Sequence, residues 1–229
     1  MVYLRRNHER GPSNLDWLQS RHSFSFGSYY DPDHMGVSVL RVINDDQVQP
    51  GKGFGSHSHQ DMEIISYVKQ GTIEHKDSMG NIEILPAGEF QLMSTGTGVT
   101  HSEYNPSDKE ILSFLQIWIE PVERGVVPGY QQKHFGIQKG LKPIVSPDGR
   151  DGTLSIHQDA HLYQLLLDQG ESVQQPLANG RTIYIHIVAG HLAVNDFLLE
   201  AGDGIGLSDV ERLQLNAQDT TEALIFDLP

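Results

Sequence analysis

Short apolar segments recur along the whole chain, and turn-forming residues separate them. The 23 glycines and 11 prolines are spread throughout, which favours many strands over a few helices. In the first half of the chain, segments rich in branched or aromatic residues predict strands over residues 36–43, 62–69, 82–85, 90–93 and 111–119. The pattern therefore predicts an all-β protein.

The segment over residues 111–119 is apolar on both faces. Leu112, Phe114 and Trp118 alternate there with further apolar residues, as in a strand that is packed between two layers. Between two other predicted strands, residues 77–81 read Asp-Ser-Met-Gly-Asn. This sequence supplies the turn residues that a β-hairpin needs.

Two stretches depart from the strand pattern. Residues 13–18 place a capping residue before a short apolar turn and predict one short helix. Residues 121–152 are rich in Gly, Pro, Gln and charge and predict an interdomain connection. Strand patterns resume over residues 153–157, 162–167, 181–188 and 223–228. We therefore expect two β domains of about 100 residues each.

Composition restricts the chemistry that is open to this chain of 229 residues. It has 12 histidines but no cysteine, which excludes a disulfide framework, a thiol nucleophile, an iron–sulfur cluster and any zinc site built on thiolates. A net charge of −14 without a basic stripe disfavours direct binding to nucleic acid. Without a signal peptide or a run of 18 apolar residues, we expect a cytoplasmic protein with no membrane partner.

The chain contains two pairs of residues of the types that bind metals, and in each pair the two residues are separated by one other residue. His57 and His59 stand at positions i and i+2, which point to one face of a strand. His101 and Glu103 repeat that spacing, and the intervening strands and hairpin can bring the two pairs side by side. Either pair alone is weak evidence, but three imidazoles and a carboxylate together suit a first-row divalent ion.

The residues around the first pair resemble the cupins. Gly51, His57, His59 and Glu63 follow the spacing of the first cupin motif, and its closing glycine, Gly71, comes one residue late. The start of the second motif matches Gly80 and the Pro-Ala-Gly of residues 86–88, but Gln91 stands where an ordinary cupin has its histidine.

That departure resembles the pirin branch of the cupins, in which the third histidine comes later and a ligand glutamate follows it. His101 and Glu103 fit this pattern. The resemblance extends from Arg5 to Trp118, with matching stretches at residues 17–18, 22–26, 40–46, 53–55, 61–63, 75–78 and 96–99. Within the family, the chain is most similar to the bacterial pirin-like proteins associated with quercetin 2,3-dioxygenase activity.

The resemblance implies a bicupin of two facing, jelly-roll-like β-barrels with short helices. It implies a metal-binding domain over residues 1–130 and a C-terminal domain without a metal over residues 131–229. The implied ligands are His57, His59, His101 and Glu103. Iron is the preferred ion, and Mn, Co, Ni, Cu and Zn are compatible with the same donors.

The activity that the resemblance implies is a metal-dependent dioxygenase that opens the central ring of a flavonol such as quercetin and releases carbon monoxide. Its partners would be a small aromatic substrate and O2, with Glu103 as the catalytic base. We expect Phe54, Met62, Met93 and Phe114 to line an apolar pocket. The first alternative is a metal-dependent regulator that binds another protein or senses redox state without enzyme activity. A further alternative is a metal-dependent isomerase or another cupin reaction on an unidentified metabolite. A monomer is the default expectation.

The remaining acidic and histidine candidates receive lesser roles. We expect Glu63 or Asp61 to act as a structural group or as a partner of a ligating imidazole. His75, beside the hairpin turn, is interpreted as structural. His157 and His161 have the spacing of ligands on one helix face, but they lie beside a strand-like segment, which disfavours a metal site there.

Overall fold

The structure, a computed structural model that describes residues 1–229, is built almost entirely of strands and contains no α-helix. Its two helical elements are single 3-10 turns at Asn7–Glu9 and Arg150–Gly152. The 22 strands are β1 (Val2–Arg5), β2 (Gly11–Asn14), β3 (Leu18–His22), β4 (Leu40–Val48), β5 (Gly53–His59), β6 (Glu63–Gln70), β7 (Thr72–Asp77), β8 (Ile82–Pro86), β9 (Glu89–Ser94), β10 (Val99–Tyr104), β11 (Leu112–Ile119), β12 (Gly129–His134), β13 (Gly140–Ser146), β14 (Leu154–Ser155), β15 (His161–Leu167), β16 (Ser172–Pro176), β17 (Thr182–Ala189), β18 (His191–Val194), β19 (Phe197–Glu200), β20 (Gly204–Ser208), β21 (Arg212–Ala217) and β22 (Thr221–Leu228). The all-β prediction is confirmed.

The chain forms two compact units. The N-terminal unit contains residues 11–136 and 156–158, and the C-terminal unit contains residues 1–10, 137–155 and 159–229. Each unit consists of one seven-stranded and one four-stranded sheet, the two-layer arrangement that buries one apolar face of each sheet. The domain ranges 1–130 and 131–229 stay a prediction. Neither compact unit is one continuous stretch of the chain, since residues 1–10 belong to the C-terminal unit and residues 156–158 to the N-terminal unit.

The N-terminal unit has its sheets in the orders β12-β9-β6-β11-β4-β3-β2 and β5-β10-β7-β8. Strand β11 lies at the centre of the larger sheet, between β6 and β4, and every residue in it except Trp118 is buried. This position explains why the strand is apolar on both faces. The predicted hairpin is also present, since β7 pairs with β8 and the amide of Asp77 donates to the carbonyl of Asn81.

The C-terminal unit has its sheets in the orders β1-β20-β17-β22-β15-β13-β14 and β16-β21-β18-β19. In β21 buried residues alternate with exposed ones, the pattern of a strand with one face on a core. An aliphatic core fills the unit, with Ile183, Ile185 and Ile187 from β17 packed among leucines from both sheets. No helix in the structure has the length and apolar character that a membrane span requires.

The helix predicted over residues 13–18 is wrong. The segment is a hairpin, in which Leu15 and Leu18 exchange backbone hydrogen bonds of 2.8 and 3.3 Å between β2 and β3. Strand β3 pairs along β4 and buries Leu18, Ser20 and His22 on one face. The ladder with β4 therefore outweighs the local capping pattern, because propensity is weaker than tertiary pairing.

The interdomain connection predicted over residues 121–152 contains the boundary between the two compact units, which falls between residues 136 and 137, but it also contains β12 and β13, which the sequence did not predict. Strand β12 is the edge strand of its sheet, and its sequence, GYQQKH, has no buried residue. Strand β13 carries Pro143 at a shift in the ladder register, a position that tolerates proline. Both strands therefore lack the apolar alternation that would have revealed them.

Candidate metal centre and adjoining cavity

The three predicted ligand histidines come from two neighbouring antiparallel strands of the smaller sheet. His57 and His59 lie two residues apart on β5, and His101 on β10 lies directly opposite His57. The β5–β10 ladder shifts register between His101 and Glu103, so that Glu103 lies opposite Phe54. Such irregularities re-aim side chains and are common beside functional sites.

The imidazole rings converge at one point. Their ring centroids are 4.4 Å apart for His57 and His101, 4.7 Å for His57 and His59, and 5.0 Å for His59 and His101. One nitrogen from each ring lies within 4.8 Å of the other two. Three of the four residues in the two i, i+2 pairs thus lie together.

The hydrogen bonds around these rings fit a bound cation. Nδ1 of His57 lies 2.8 Å from the carbonyl oxygen of Gly55, which leaves its Nε2 for the centre of the group. His101 is 2% exposed, and neither of its ring nitrogens has a hydrogen-bond partner. A buried imidazole without partners is costly, and coordination of a divalent first-row ion would satisfy it.

Electrostatics keeps two of the rings neutral. Burial, with the neighbouring imidazoles of His101 and His57, lowers the pKa of His59 to about 4. Burial, with His57 and His75 beside it, lowers the pKa of His101 to about 3. Because only a neutral imidazole has a lone pair to give to a metal, both rings are in their binding form at neutral pH.

Glu103 is buried on β10 close to the three histidines, but other groups hold its carboxylate. Nε2 of Gln116 lies 3.3 Å from Oε1 and 3.0 Å from Oε2, and Oγ of Ser66 donates to Oε1 at 3.4 Å. The carboxylate is not among the ligand atoms that lie within 4.8 Å of one another. The structure thus brings three of the four predicted ligands together, and ligation by Glu103 stays a prediction.

A cavity of about 370 Å³ adjoins the histidines, in the size range of small-molecule sites. Its walls are largely aromatic, from Trp17, Phe26, Phe54 and Trp118. Its polar lining residues are Asn44, Asp46, His57, His59, Glu103 and Gln116. An apolar cavity with a few polar groups is typical of a site for a small organic molecule.

Of the four predicted lining residues, only Phe54 lines this cavity. Phe114 packs in the core with residues such as Leu85, and Met93 packs with Ile64 and Val99. Trp118, which the sequence reasoning missed, lies edge-on to His59 at 4.9 Å between ring centroids. Trp118 and Gln116 stand two residues apart on β11 and share a face, but the sequence does not show which face of that strand is turned toward the histidines.

Glu63 and Asp61 do not hold an imidazole of the cluster. Glu63 is fully buried, accepts a hydrogen bond from Oγ of Ser94 at 2.8 Å and lies 3.3 Å from Nδ1 of His157. Burial raises the pKa of its carboxyl group. The carboxylate of Asp61 accepts from the amide of Gly125. Both contacts are structural, which agrees with one of the two roles predicted for these residues.

His75 lies outside the three-histidine group and contacts a neighbouring carboxylate. His75 is fully buried with Nε2 3.0 Å from Oδ2 of Asp77, and its ring centroid lies 5.4 Å from that of His101. Although burial acts in the opposite direction, hydrogen bonds from Asn81 and His75 lower the pKa of Asp77. No helix joins His157 and His161.

Comparison with known proteins places this chain in a family. The family model "Pirin" matches residues 4–119, and the model "Quercetinase C-terminal cupin domain" matches residues 143–228. A protein of Escherichia coli named quercetin 2,3-dioxygenase is 49% identical over 100% of this chain and 99% of its own length. A protein of Pasteurella multocida named putative quercetin 2,3-dioxygenase is 46% identical over the full length of both.

Solved structures agree with the sequence comparison. YhhW from E. coli superposes with a TM-score of 0.99 at 49% identity, covering 100% of this chain and 98% of the other. The bacterial pirin YhhW in complex with nickel(II) superposes with a TM-score of 0.98 at 49% identity, covering 100% and 99%. With two cupin domains and matches over its whole length, this chain belongs to the pirin family.

Proposed function

We propose that the protein is a metal-dependent dioxygenase that opens the central ring of a flavonol such as quercetin. Both atoms of O2 would enter the product, and one ring carbon would leave as carbon monoxide. The observation that carries the proposal is the convergence of three imidazoles on the edge of an aromatic cavity. The relatives named quercetin 2,3-dioxygenase at 49% and 46% identity support it.

We propose that His57, His59, His101 and Glu103 hold the ion. A bound divalent ion would stabilise the deprotonated form of a hydroxyl group that it coordinates. Iron stays the predicted ion, and nickel is the first alternative because the E. coli pirin has been solved with it. The cytoplasmic location and the monomeric state also stay predictions.

Glu103 is the proposed catalytic base. Its carboxylate lies in the cavity wall, where it can accept the proton of the flavonol hydroxyl. Gln116 and Ser66 fix the orientation of the carboxylate before substrate arrives, so little reorganisation is needed at the moment of proton transfer.

The aromatic walls would orient the substrate. Trp118 lies edge-on to Phe26 at 5.3 Å between ring centroids, and Trp17 lies edge-on to Phe54 at 5.2 Å. Flat rings of a flavonol can stack or pack edge-on against these side chains.

The test loads the apoprotein with single metals and follows oxygen uptake, carbon monoxide and loss of flavonol absorbance. We expect turnover with at least one ion, loss of turnover in His57→Ala, and a loss of about a hundredfold or more in Glu103→Gln. His191→Ala is the matched control, because His191 lies on the surface of the C-terminal unit beside Asp219. Equal behaviour of the wild type and both site variants under every metal would refute the proposal.

A further inference from the structure

Two polar side chains from one strand lie in the wall of the aromatic cavity. Asn44 and Asp46 stand two residues apart on β4, so they share a face of the sheet, and both line the cavity. Asn44 is 3% exposed and Asp46 is 4% exposed. In a cavity with largely aromatic walls, a few placed polar groups set the orientation and the specificity of the ligand. This pair is therefore a candidate for recognising a polar substituent.

One end of the Asn44 amide is held by a neighbouring strand. Nδ1 of His22, which lies opposite Asn44 on β3, is 2.7 Å from Oδ1 of Asn44. This contact uses the carbonyl end of the amide and leaves its N–H end for the cavity that Asn44 lines. Asn44 therefore presents an oriented hydrogen-bond donor to a ligand in the cavity.

Strand register gives the distance between this pair and the proposed reacting end of the cavity. Asn44 lies directly opposite Gln116 on β11, and the side chain of Gln116 contacts the Glu103 carboxylate. Neighbouring strands lie about 4.8 Å apart, and residues two apart on one strand are separated by about 7 Å. The backbone of Asn44 is thus about 5 Å from that of Gln116, and the backbone of Asp46 is about 8 Å from it. A molecule the size of two fused aromatic rings can therefore contact Glu103 and this pair at once.

A hydrogen-bond donor beside an acceptor fits a hydroxyl group. The amide of Asn44 donates, and the carboxyl oxygens of Asp46 accept. A phenolic hydroxyl both donates and accepts, so one such group can bond both side chains, whereas an ether or ketone oxygen can only accept. The chemistry of the pair therefore favours a substrate with a hydroxyl group at this position.

We propose that Asn44 and Asp46 are specificity-determining residues that select a flavonol with a further hydroxyl group besides the one that reaches the ion. This rests on the proposed function, because it takes a flavonol as the occupant of the cavity. It names the substrate class more narrowly, as polyhydroxylated flavonols. Asn44 and Asp46 bind the substrate and take no part in breaking its ring.

The test compares quercetin with 3-hydroxyflavone. The two compounds share the hydroxyl and ketone groups of the central ring, and only quercetin carries further hydroxyl groups. The Kd of each compound for the nickel-loaded, full-length protein is measured by quenching of tryptophan fluorescence, since Trp17 and Trp118 line the cavity. We expect the wild type to bind quercetin at least about tenfold more tightly, because a site built to bond a hydroxyl group rejects an analogue that lacks it.

Variants of the pair should remove this preference. Asn44→Leu keeps a branched side chain and removes the donor, and Asp46→Leu removes the acceptor. We expect each to lower the ratio of the two Kd values by about tenfold, the effect of one lost hydrogen bond in a buried site. Both compounds are measured on the same sample, so a fraction of unfolded protein does not change the ratio. Asn44→Asp keeps an oxygen for the contact with His22 and also lacks the donor, so it should lower the ratio even if Asn44→Leu does not fold.

The neighbouring strand offers a matched control. Oγ of Ser20 lies 3.3 Å from Nδ1 of His22, the nitrogen that also contacts Asn44. Ser20 is buried but is not among the residues that line the cavity. Ser20→Ala therefore disturbs the same buried contacts without removing a group that faces the ligand, and its Kd ratio should equal that of the wild type.

Equal affinity of the wild type for the two compounds would overturn the inference, and so would an unchanged Kd ratio in the folded Asn44 variants. A protein that prefers quercetin but turns over neither compound under any metal would refute the proposed function and leave the hydroxyl-binding pair intact. Turnover of both compounds with equal kcat/KM would refute the pair and leave the dioxygenase proposal intact. Binding of neither compound would refute both.

Discussion

His57 and His101 lie opposite each other across the β5–β10 ladder, with their ring centroids 4.4 Å apart. The backbone of two different strands thus fixes the distance between two ligands, and β5 supplies His59 as the third. Because the ladder determines this geometry, the group is preformed in the folded chain, and ion binding needs only small side-chain movements.

Removal of either central ligand should abolish tight binding. We expect His57→Ala and His101→Ala each to weaken nickel binding by at least about a hundredfold, because two remaining imidazoles chelate poorly. Isothermal titration of the apoprotein measures the change. His34→Ala, which removes a histidine outside the cluster, should bind like the wild type, and site variants with wild-type affinity would place the ion elsewhere.

Ion binding should resist acid. The pKa of His59 is lowered to about 4 and that of His101 to about 3, so protons compete with the ion for these rings only below those values. Three imidazoles with the ordinary pKa of 6.5 would lose about a thousandfold in affinity between pH 7.5 and 5.5. We expect a loss of no more than about tenfold, measured by titration at both pH values.

The buried Glu63 should make the stability of the apoprotein depend on pH. Burial raises its pKa above the unfolded value of 4.5, so the folded chain binds more protons than the unfolded chain in the window above pH 4.5. Stability from this group is therefore present at low pH and is lost as pH rises through the folded pKa.

Glu63→Gln should remove that loss. The free energy of unfolding of the variant, relative to the wild type, should increase as pH rises from 4.5 to 7.5, as measured by urea denaturation with a chelator present. Glu211→Gln, at an exposed glutamate, serves as the control. Parallel pH profiles for Glu63→Gln and the wild type would contradict the assignment.

The aromatic wall should affect the organic substrate and not the ion. Trp118→Leu removes the ring that contacts both His59 and Phe26. We expect KM for a flavonol to rise about threefold to tenfold, the size of one aromatic contact, while the nickel Kd changes by less than about twofold. Trp118→Phe should restore most of the lost binding.

Strands β5 and β10 lie so close together at Gly53 that a side chain there should destabilise the protein. A Cβ atom there would lie 2.3 Å from the carbonyl oxygen of Glu103 and 2.5 Å from Cα of Tyr104. We expect Gly53→Ala to cost about 1–3 kcal/mol of stability and to weaken nickel binding. At Gly55 the nearest atom is Oη of Tyr104 at 3.8 Å, so Gly55→Ala should melt within about 2 °C of the wild type.

The sequence predicted the site best where the prediction rests on the two-residue repeat of side chains along a strand, which the backbone geometry fixes. Two residues at i and i+2 share a face whatever surrounds them, so the grouping of His57 with His59 could be predicted from spacing alone. The prediction that His101 joins them also required the hairpin at residues 77–81, and the turn residues that indicate this hairpin are again a local feature. These features depend on neighbours along the chain.

Features that depend on the packing of the two sheets could not be predicted in this way. The polar edge strand β12 has no apolar alternation, and none of its residues is buried. The contact between Gln116 and Glu103 joins the two sheets and leaves no local pattern. The cavity lining was predicted poorly for the same reason, since it requires knowing which face of β11 is turned toward the histidines.

Each compact unit includes a short segment from the other end of the chain, residues 156–158 in the N-terminal unit and residues 1–10 in the C-terminal unit. The protein therefore cannot be cut into two complete units at a single position. A fragment of residues 11–136 would lack His157, which lies against buried Glu63, and Gln158, whose side chain donates to the carbonyl of Glu120 at 2.7 Å. A fragment of residues 137–229 would lack β1 and expose the edge of β20 that β1 covers. Separation into these two fragments would therefore leave the buried Glu63 carboxyl group with Ser94 but without His157, and would leave the other fragment with a strand edge open to aggregation.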